Sequence, residues 1–277
     1  MPAGVPSQPV PAGSRPVPPS PPDPAASFEE HVAWARDVAL PGATGGAAED
    51  PPPWDYAALA RDLVGGDRGP VLDLGTGDGE LLASCAPLPA GSAGTVAHSQ
   101  ELPVARRRLE PLGVDVRTVT AEEVLLPFFD AQFAVVTDRH AEFDPDEVGR
   151  VLSPGGVFLT QQVDSRDGIR VCAALGVELP WDPDSVTLEA AEDVLRDAGF
   201  VVDVAREHDG RRRFRDLGSL LAFVRATPAL VPGLASLAPE AVARFEAPLR
   251  ALHLYFAAGH EFVDEAPRFL VVARRPF

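Results

Sequence analysis

Three closely spaced glycines follow a short apolar segment in the first third of the chain. Residues 71–80 read VLDLGTGDGE, with glycine at positions 75, 77 and 79. Glycine accepts positive φ angles and lets backbone N–H groups approach a ligand closely. When such a loop joins a strand to a helix in a doubly wound sheet, it lies at the edge where ligands bind. The segment therefore predicts a small-molecule site; a tight turn without a ligand is the alternative.

The residue after the third glycine distinguishes between two cofactors. A dinucleotide-binding loop follows the pattern G-x-G-x-x-G/A, which requires a small residue where this chain has Glu80. A carboxylate at the N-terminus of a helix also repels a pyrophosphate, because like charges would share one site. S-adenosylmethionine carries no phosphate and avoids this repulsion. The loop therefore predicts S-adenosylmethionine, with a nucleotide-dependent oxidoreductase as the disfavoured rival.

Two consecutive residues are candidates for the chemistry of methyl transfer. This displacement needs alignment of the reactants and, for hydroxyl or amine acceptors, often a base. His140 follows a predicted strand at the ligand edge and is the candidate base, because imidazole titrates near neutrality; bracing of a loop is its alternative role. Arg139 could bind a carboxylate or phosphate of the substrate, and Asp138 could orient its neighbours. Gln161 and Gln162 point to opposite faces of a later strand, so only one can face the pocket.

The glycine loop resembles the first motif of class I S-adenosylmethionine-dependent methyltransferases, and later segments continue the resemblance. Residues 125–133, LLPFFDAQF, are similar to the LPF.D.SFD segment before the fourth strand in that family. Residues 147–156, EVGRVLSPGG, are similar to its E..RVLRPGG helix and turn. TDRH at 137–140 and TQQV at 160–163 resemble a small-molecule, type 11-like subgroup. The resemblance covers about residues 54–163 and implies methyl transfer to an oxygen, nitrogen or carbon atom of a small molecule.

The resemblance also implies which residues hold the cofactor. Asp73 would help to bind the methionine end of S-adenosylmethionine. The loop that would wrap the cofactor comprises Gly75, Thr76, Gly77 and Gly79. Glu122 or Glu123, after the third strand, would receive the adenine amino group, and the spacing to Pro127 favours Glu122. A solvated acidic turn is the alternative for either glutamate.

The position that binds the ribose departs from the family pattern. The family places Asp or Glu at the end of the second strand, where a carboxylate accepts both ribose hydroxyls. Here that position falls on Val96, or on His98 if the alignment contains a two-residue gap. His98 or Gln100 could hydrogen-bond to a ribose, but the loss of a charge-assisted pair costs about 1–3 kcal/mol. A catalytically weak or inactive ligand-binding or scaffold protein with the same fold is therefore the alternative function.

Strands and helices alternate after residue 69, which is typical of right-handed βαβ units. The pattern predicts a Rossmann-like α/β fold, with a seven-stranded, mostly parallel sheet, helices on both faces and an N-terminal helical cap. The predicted strands cover residues 71–74, 94–97, 114–119, 133–137, 156–163, 200–205 and 268–273. The predicted helices cover residues 27–40, 54–64, 79–85, 101–109, 147–152, 188–198, 217–225 and 239–255.

The predicted domain organisation separates an arm from one large domain. Residues 1–26 are dominated by Pro, Ala and Ser and are expected to be a disordered arm. Residues 27–277 are expected to form one methyltransferase domain. Its predicted parts are a helical cap at 27–66, a Rossmann-like core at 67–210, lid-like helices at 211–262 and a last strand at 263–277. The arginine-rich segment at 211–215 is expected to be a solvated turn, with steering of an anionic substrate as the alternative.

The composition and net charge indicate which classes of partner the protein is expected to have. The chain has 277 residues and a net charge of −17, and all 24 of its basic residues are arginine. Such a negative surface repels phosphate backbones, which argues against nucleic acid and favours a small-molecule acceptor. No apolar run reaches about 18 residues and the first residues lack the secretory-signal pattern, so a cytoplasmic protein without a membrane span is expected. Cys85 and Cys172 are too few for a disulfide scaffold or a zinc site; a monomer or homodimer without a metal is expected.

Overall fold

The computed structural model describes residues 20–39, 47–65, 68–120 and 125–277. Most of the predicted arm and both candidate adenine ligands, Glu122 and Glu123, lie outside these ranges. The described chain forms two compact units. The larger unit comprises Ala48–Arg213 and Phe262–Phe277, and the smaller unit comprises the described residues before position 48 together with Phe214–Glu261.

The described helices and strands follow the predicted alternation through most of the chain. The helices are α1 (Phe28–Asp37), α2 (Tyr56–Val64), α3 (Glu80–Ser84), α4 (Leu102–Leu109), α5 (Pro145–Val151), α6 (Ile169–Ala174), α7 (Leu188–Asp197), α8 (Leu217–Ala226), α9 (Pro239–Arg244) and α10 (Glu246–Ala257). The strands are β1 (Ala48–Glu49), β2 (Val71–Leu74), β3 (Ala93–Val96), β4 (Asp115–Thr118), β5 (Phe133–Arg139), β6 (Leu152–Val163), β7 (Val201–His208), β8 (Arg211–Phe214), β9 (Phe262–Glu265) and β10 (Arg268–Arg274). A short 3-10 helix, Glu110–Leu112, follows α4.

The larger unit is built on a seven-stranded sheet in the order β4-β3-β2-β5-β6-β10-β7. The first five strands in this order are parallel to one another, and β10 is antiparallel to both β6 and β7. The predicted seven-stranded, mostly parallel sheet is therefore confirmed. Because β2 and β5 are adjacent and parallel, their carboxyl ends meet at one edge, with Asp73 opposite Thr137 and Leu74 opposite Asp138.

Successive residues of the central strands face two separate apolar cores. In β6, Phe158 packs in one core with Val148 of α5 and Leu195 of α7. Its neighbour Leu159 packs in the other core with Leu109 of α4 and with buried residues of α2 and α3. Consecutive strand residues point to opposite faces of a sheet. Helices therefore cover both faces of this sheet, as the sequence predicts.

The described elements differ from the sequence prediction at several places. A short helix, α6, follows β6. The predicted helix at 239–255 is divided into α9 and α10 at Phe245, whose φ of −108° and ψ of 14° are not helical. β1, β8 and β9 form a separate three-stranded sheet. These short strands carry no apolar alternation of their own, so periodicity does not reveal them.

The arginine-rich segment is a strand, and the prediction of a solvated turn is wrong. In β8, Arg211 is exposed, whereas Arg212 is buried with 2% of its surface exposed. Arg212 lies 2.9 Å from Glu49 and 2.7 Å from Asp167. Asp264 of β9 is a third carboxylate partner at 3.4 Å. Buried and more exposed residues alternate along β8, but in the sequence all of its first three positions are arginine. The carboxylates that neutralise the buried arginine come from distant segments, so the local sequence does not reveal the strand.

The smaller unit packs α1 against α8. Ser27 and Glu30 form a capping box at the start of α1. His31 is buried, and its Nδ1 accepts a hydrogen bond from the Gly218 N–H at 3.2 Å. Burial lowers the pKa of His31, against the attraction of Asp216, so the ring is neutral at pH 7. The predicted cap and lid roles of these helices stay predictions.

The described residues bear on three features: membrane-spanning helices, metal-binding groups and reactive thiols. None of the helices within those ranges combines the length and apolar character needed to cross a bilayer. The same residues contain no group of three or more His, Cys, Asp or Glu side chains that could hold a metal ion. Cys85 and Cys172 are buried, and burial raises the pKa of each thiol. Both thiols are therefore protonated at neutral pH.

Candidate functional site

A cleft of about 470 Å³ lies at the carboxyl edge of β2 and β5 in the larger unit. This size is typical of small-molecule sites. Its lining comprises residues 73–78, three residues of α3 (Glu80, Leu81 and Ser84) and the end of β5 with the residue after it (Arg139 and His140). The cleft thus brings together most of the predicted site residues. Gly79 lies just outside the lining.

The three glycines of the loop all have positive φ, at 60°, 56° and 77° along the chain. A Cβ atom on Gly75 would lie 2.6 Å from the Ala141 side chain, and one on Gly79 would lie 2.8 Å from Leu109. A Cβ atom on Gly77 would meet no atom within 4 Å. Gly75 and Gly79 therefore permit close packing of the loop, whereas Gly77 keeps the cleft open.

Asp73 supplies a buried carboxyl group to the cleft, with 3% of its surface exposed. The Thr137 hydroxyl donates to Asp73 Oδ1 at 2.7 Å. Burial raises the pKa of Asp73, and the nearby hydroxyls of Thr76 and Thr137 oppose this rise. A cationic ligand group beside the carboxyl would favour its charged form. The site is therefore suited to a ligand that brings its own positive charge.

The two candidate ribose positions differ in their surroundings. Val96 is fully buried in the core that contains α4, so its side chain cannot reach a ligand in the cleft. His98 is exposed two residues beyond the end of β3 and is not part of the cleft lining. A contact between His98 and a ribose stays a prediction, and so does the adenine contact of Glu122, outside the described ranges.

A hydrogen-bonded chain determines which nitrogen of His140 carries the proton. Trp54 Nε1 lies 2.7 Å from Gln161 Oε1, and Gln161 Nε2 lies 3.0 Å from His140 Nε2. The indole N–H can only donate, so the amide oxygen of Gln161 must face Trp54. The amide NH₂ group then donates to His140 Nε2. The neutral imidazole ring is therefore protonated on Nδ1.

The backbone of His140 is held in an uncommon conformation. Its φ is 69°, in a region that few residues other than glycine occupy. The His140 N–H donates to the Gln161 carbonyl at 2.9 Å, and the Ala141 N–H donates to Asp138 Oδ1 at 3.0 Å. Desolvation and then the charge of Arg139 lower the pKa of His140, although the residue as a whole is exposed. The structure thus presents a neutral, oriented imidazole at the cleft.

Replacing Gln161 with glutamate is expected to reverse the tautomer of His140 and to raise its pKa. Trp54 would donate to one carboxylate oxygen, and the other would accept from Nε2–H because a carboxylate has no donor. ¹⁵N–¹H spectra of the imidazole rings measure both properties, with the signal assigned by its absence in His140→Phe. The control Gln161→Met removes the amide donor without adding a charge and should raise the pKa less. A wild-type ring protonated on Nε2 would contradict the assignment.

Asp138 is a second buried carboxyl group at the end of β5. Its Oδ2 lies 2.7 Å from Gln162 Nε2 and 3.2 Å from Thr160 Oγ1. The Tyr56 hydroxyl donates to the backbone carbonyl oxygen of Asp138 at 2.9 Å. Burial raises the pKa of Asp138 to about 8, so the group is largely protonated at neutral pH. Of the two glutamines, Gln162 borders a second cavity, and Gln161 orients His140.

Sequence reasoning names Gln161 as a candidate but misses its contacts with Trp54 and His140. Trp54 and Gln161 are separated by 107 positions, and their spacing in the sequence shows no relation. One usable signal is the pairing of TDRH with TQQV, since β5 and β6 are adjacent with Arg139 opposite Gln161. Neighbouring parallel strands that both end in polar residues indicate a shared site.

Comparison with known proteins identifies solved structures that share the fold of this chain. No protein-family model matches the chain. A Bacillus halodurans protein described as a methyltransferase aligns with a TM-score of 0.56 at 20% identity, over 80% of this chain and 99% of its own. The YcgJ protein of Bacillus subtilis aligns with a TM-score of 0.54 at 16% identity, over 80% of this chain and 98% of its own. The chain has the class I S-adenosylmethionine-dependent methyltransferase fold, so the fold that the sequence resemblance implies is confirmed.

One curated relative shares part of the sequence. The demethylmenaquinone methyltransferase of Thermus thermophilus is 35% identical over 95 residues. The matched segment is 31% of this chain and 43% of that protein. The chain therefore spans less than half the length of the curated relative it matches.

Proposed function

We propose that the protein transfers a methyl group from S-adenosylmethionine to a small-molecule acceptor. The observation that carries this proposal is the cleft, where an open glycine loop and the buried Asp73 carboxyl lie beside the end of β5. The fold and the partial match to a methyltransferase support it. The motifs on β5 and β6 support it further, because Gln161 of β6 hydrogen-bonds to His140, which lines this cleft.

The side chains of the cleft fit the chemical groups of the cofactor. Asp73 would bind the ammonium group of the methionine end, and the open space at Gly77 would admit the ligand to the loop. Glu80 lines the cleft, which favours a cofactor without phosphate. His98 and Glu122 are proposed to contact the ribose and the adenine, as the resemblance implies.

The chemistry needs little from the protein beyond alignment. When bound, the cofactor supplies a methyl group on a positively charged sulfur: the carbon–sulfur bond breaks with its electron pair left on sulfur, and a lone pair of the acceptor forms the new bond. Gln161 already donates to His140 Nε2, so this nitrogen is not free to take a proton from the acceptor. A proton displaced from the acceptor therefore passes to solvent. Arg139 and His140, which line the same cleft, would orient the reactants.

The proposal also covers the class of methyl acceptor, the cellular location and the oligomeric state. A net charge of −17 disfavours nucleic acid and supports a small acceptor. The Thermus thermophilus relative also acts on a small molecule, by its name. We place the protein in the cytoplasm, as a monomer or homodimer.

Thermal unfolding with S-adenosylhomocysteine tests the proposal. At about 100 times its dissociation constant, a ligand of the folded state adds about 2.7 kcal/mol of stability. For a chain of this size the melting temperature should rise by about 5–10 °C. NADH at the same concentration is the control and should cause no rise. No effect of millimolar S-adenosylhomocysteine would contradict the proposal, and stabilisation by NADH would favour an oxidoreductase.

A further inference from the structure

A second cavity, of about 520 Å³, adjoins His140 in the larger unit. We call it the apolar cavity; it is lined by residues 140–143, the end of β6, residues 185–187, one side of α7 and the start of β10. Phe143, Val163, Ala190 and Phe269 contribute apolar side chains to it. His140 is the residue that lines both this cavity and the glycine-loop cleft. A molecule in the apolar cavity would therefore meet the cofactor cleft at His140.

The charges around the apolar cavity exclude several classes of ligand. Its described lining contains no arginine, and its one acidic residue, Glu142, is exposed to solvent. Arg139 lines the glycine-loop cleft and not the apolar cavity. A carboxylate or phosphate would lose its hydration without gaining a cation. The lining is thus suited to an uncharged, largely apolar molecule.

Several polar side chains of the cavity form hydrogen bonds within the protein, and among them Thr187 Oγ1 accepts from the Ala190 N–H at 3.2 Å. Gln162 Nε2 donates to Asp138, and the Ser185 hydroxyl donates to the Asp182 carbonyl at 2.6 Å. In contrast, no residue in the described part of the chain hydrogen-bonds to His140 Nδ1. The chain from Trp54 puts the proton on this nitrogen. His140 therefore offers a hydrogen-bond donor where the two spaces meet.

We propose that the apolar cavity binds the methyl acceptor, an uncharged and largely apolar small molecule with an oxygen that accepts a hydrogen bond from His140 Nδ1. The proposal rests on the proposed function, which puts the methyl donor in the neighbouring cleft. It gives His140 the role of a donor that positions the acceptor, in place of the general base that the sequence suggests. The ring nitrogen that would act as a base already accepts from Gln161.

Three naphthalene probes of similar size test the ligand class by calorimetric titration. 2-Acetylnaphthalene has an oxygen that accepts a hydrogen bond, 2-ethylnaphthalene has none, and 2-naphthoate adds a charge. The ketone should bind the wild type about three- to tenfold more tightly than the hydrocarbon, which is the range of one hydrogen bond. The His140→Phe variant should bind the two equally. The naphthoate should bind at least about tenfold more weakly than the ketone.

Two variants locate the probe. Ala190→Trp places an indole in the apolar cavity and should weaken the ketone and the hydrocarbon by at least about tenfold. Ala173→Trp, at an exposed position of α6 outside the cavity lining, is the matched control and should leave both affinities unchanged. Failure of both neutral probes to bind the wild type, unchanged binding to Ala190→Trp, or tighter binding of the naphthoate would each overturn the proposal.

The same variants separate this proposal from the proposed function. Ala190→Trp and Ala173→Trp should both keep the stabilisation by S-adenosylhomocysteine, because neither residue lines the glycine-loop cleft. Stabilisation without binding of the neutral probes would reject the apolar cavity as the acceptor site and leave the cofactor assignment intact. Absence of stabilisation in the wild type would reject the proposed function itself, and with it the acceptor role of the cavity.

Discussion

Replacing Arg212 with methionine is expected to lower the free energy of unfolding by about 3–5 kcal/mol, because buried and partly buried carboxylates would lose their cation. The guanidinium group reaches three of them: Glu49 at 2.9 Å, Asp167 at 2.7 Å and Asp264 at 3.4 Å. Arg268 pairs with Glu49 and Asp167 but cannot balance all three charges. The cluster joins β1, β8 and β9 to the segment after β6, so its loss should affect the whole larger unit.

The loss of stability should be smaller at pH 5 than at pH 8. Burial raises the pKa of Asp264 from 3.8 to about 6, and the attraction of Arg212 opposes this rise. A raised pKa in the folded state means that proton binding favours folding fully below pH 4 and ceases to do so as the pH rises through 6. Without Arg212 the pKa rises further, so protonation at pH 5 removes the unpaired charge.

Urea-induced unfolding of matched variants measures the effect of Arg212. Arg211 precedes it on the same strand and is exposed, so Arg211→Met should change the free energy of unfolding by no more than about 0.5 kcal/mol. Equal effects of the two substitutions would show that Arg212 is not held in a buried ion cluster.

Replacing Gly77 with valine is expected to abolish stabilisation by S-adenosylhomocysteine, a loss of about 2.7 kcal/mol at saturating ligand. A Cβ atom at this position meets no protein atom within 4 Å, so the added side chain enters the space that the ligand would fill. The φ of 56° also strains a β-branched residue, at a cost of about 1–3 kcal/mol to the folded state. The variant should therefore unfold at a lower temperature and should not respond to the ligand.

A second glycine separates backbone strain from obstruction of the cleft. Gly113 has a φ of 80° and also no atom within 4 Å of an added Cβ, but it does not line the cleft. Gly113→Val should lose similar stability and keep the full ligand shift in the thermal unfolding assay. A ligand shift retained by Gly77→Val would mean that the cofactor binds elsewhere.

The parts of the fold that local patterns determine could be predicted. The strand Val71–Leu74 is an apolar run that ends at a glycine loop, and the structure has the same bounds. The seven-stranded sheet follows from the alternation of strands and helices, because parallel neighbours require crossover connections. The glycine loop and His140 could be placed at one edge for the same reason.

Long-range polar contacts could not be predicted, because each partner looks ordinary in its own segment. Arg212 lies in a basic run that is typical of a solvated turn, and its partners are distant in the sequence. Gln161 follows Thr160 on a strand, and only the fold brings Trp54 to its amide oxygen. Val96 occupies the expected ribose position by counting, but its side chain faces the core.

Hydrogen exchange with and without 1 mM S-adenosylhomocysteine tests the central claim, that the glycine-loop cleft binds the cofactor. Bound ligand should slow the exchange of backbone amides in peptides that cover residues 73–84 and 137–142, because these segments contain the residues that line the cleft. Peptides of α9 and α10, which contribute no residue to this cleft, should be unchanged. Slowed exchange at the glycine loop would support the account; no change there, or slowed exchange only in other segments, would contradict it.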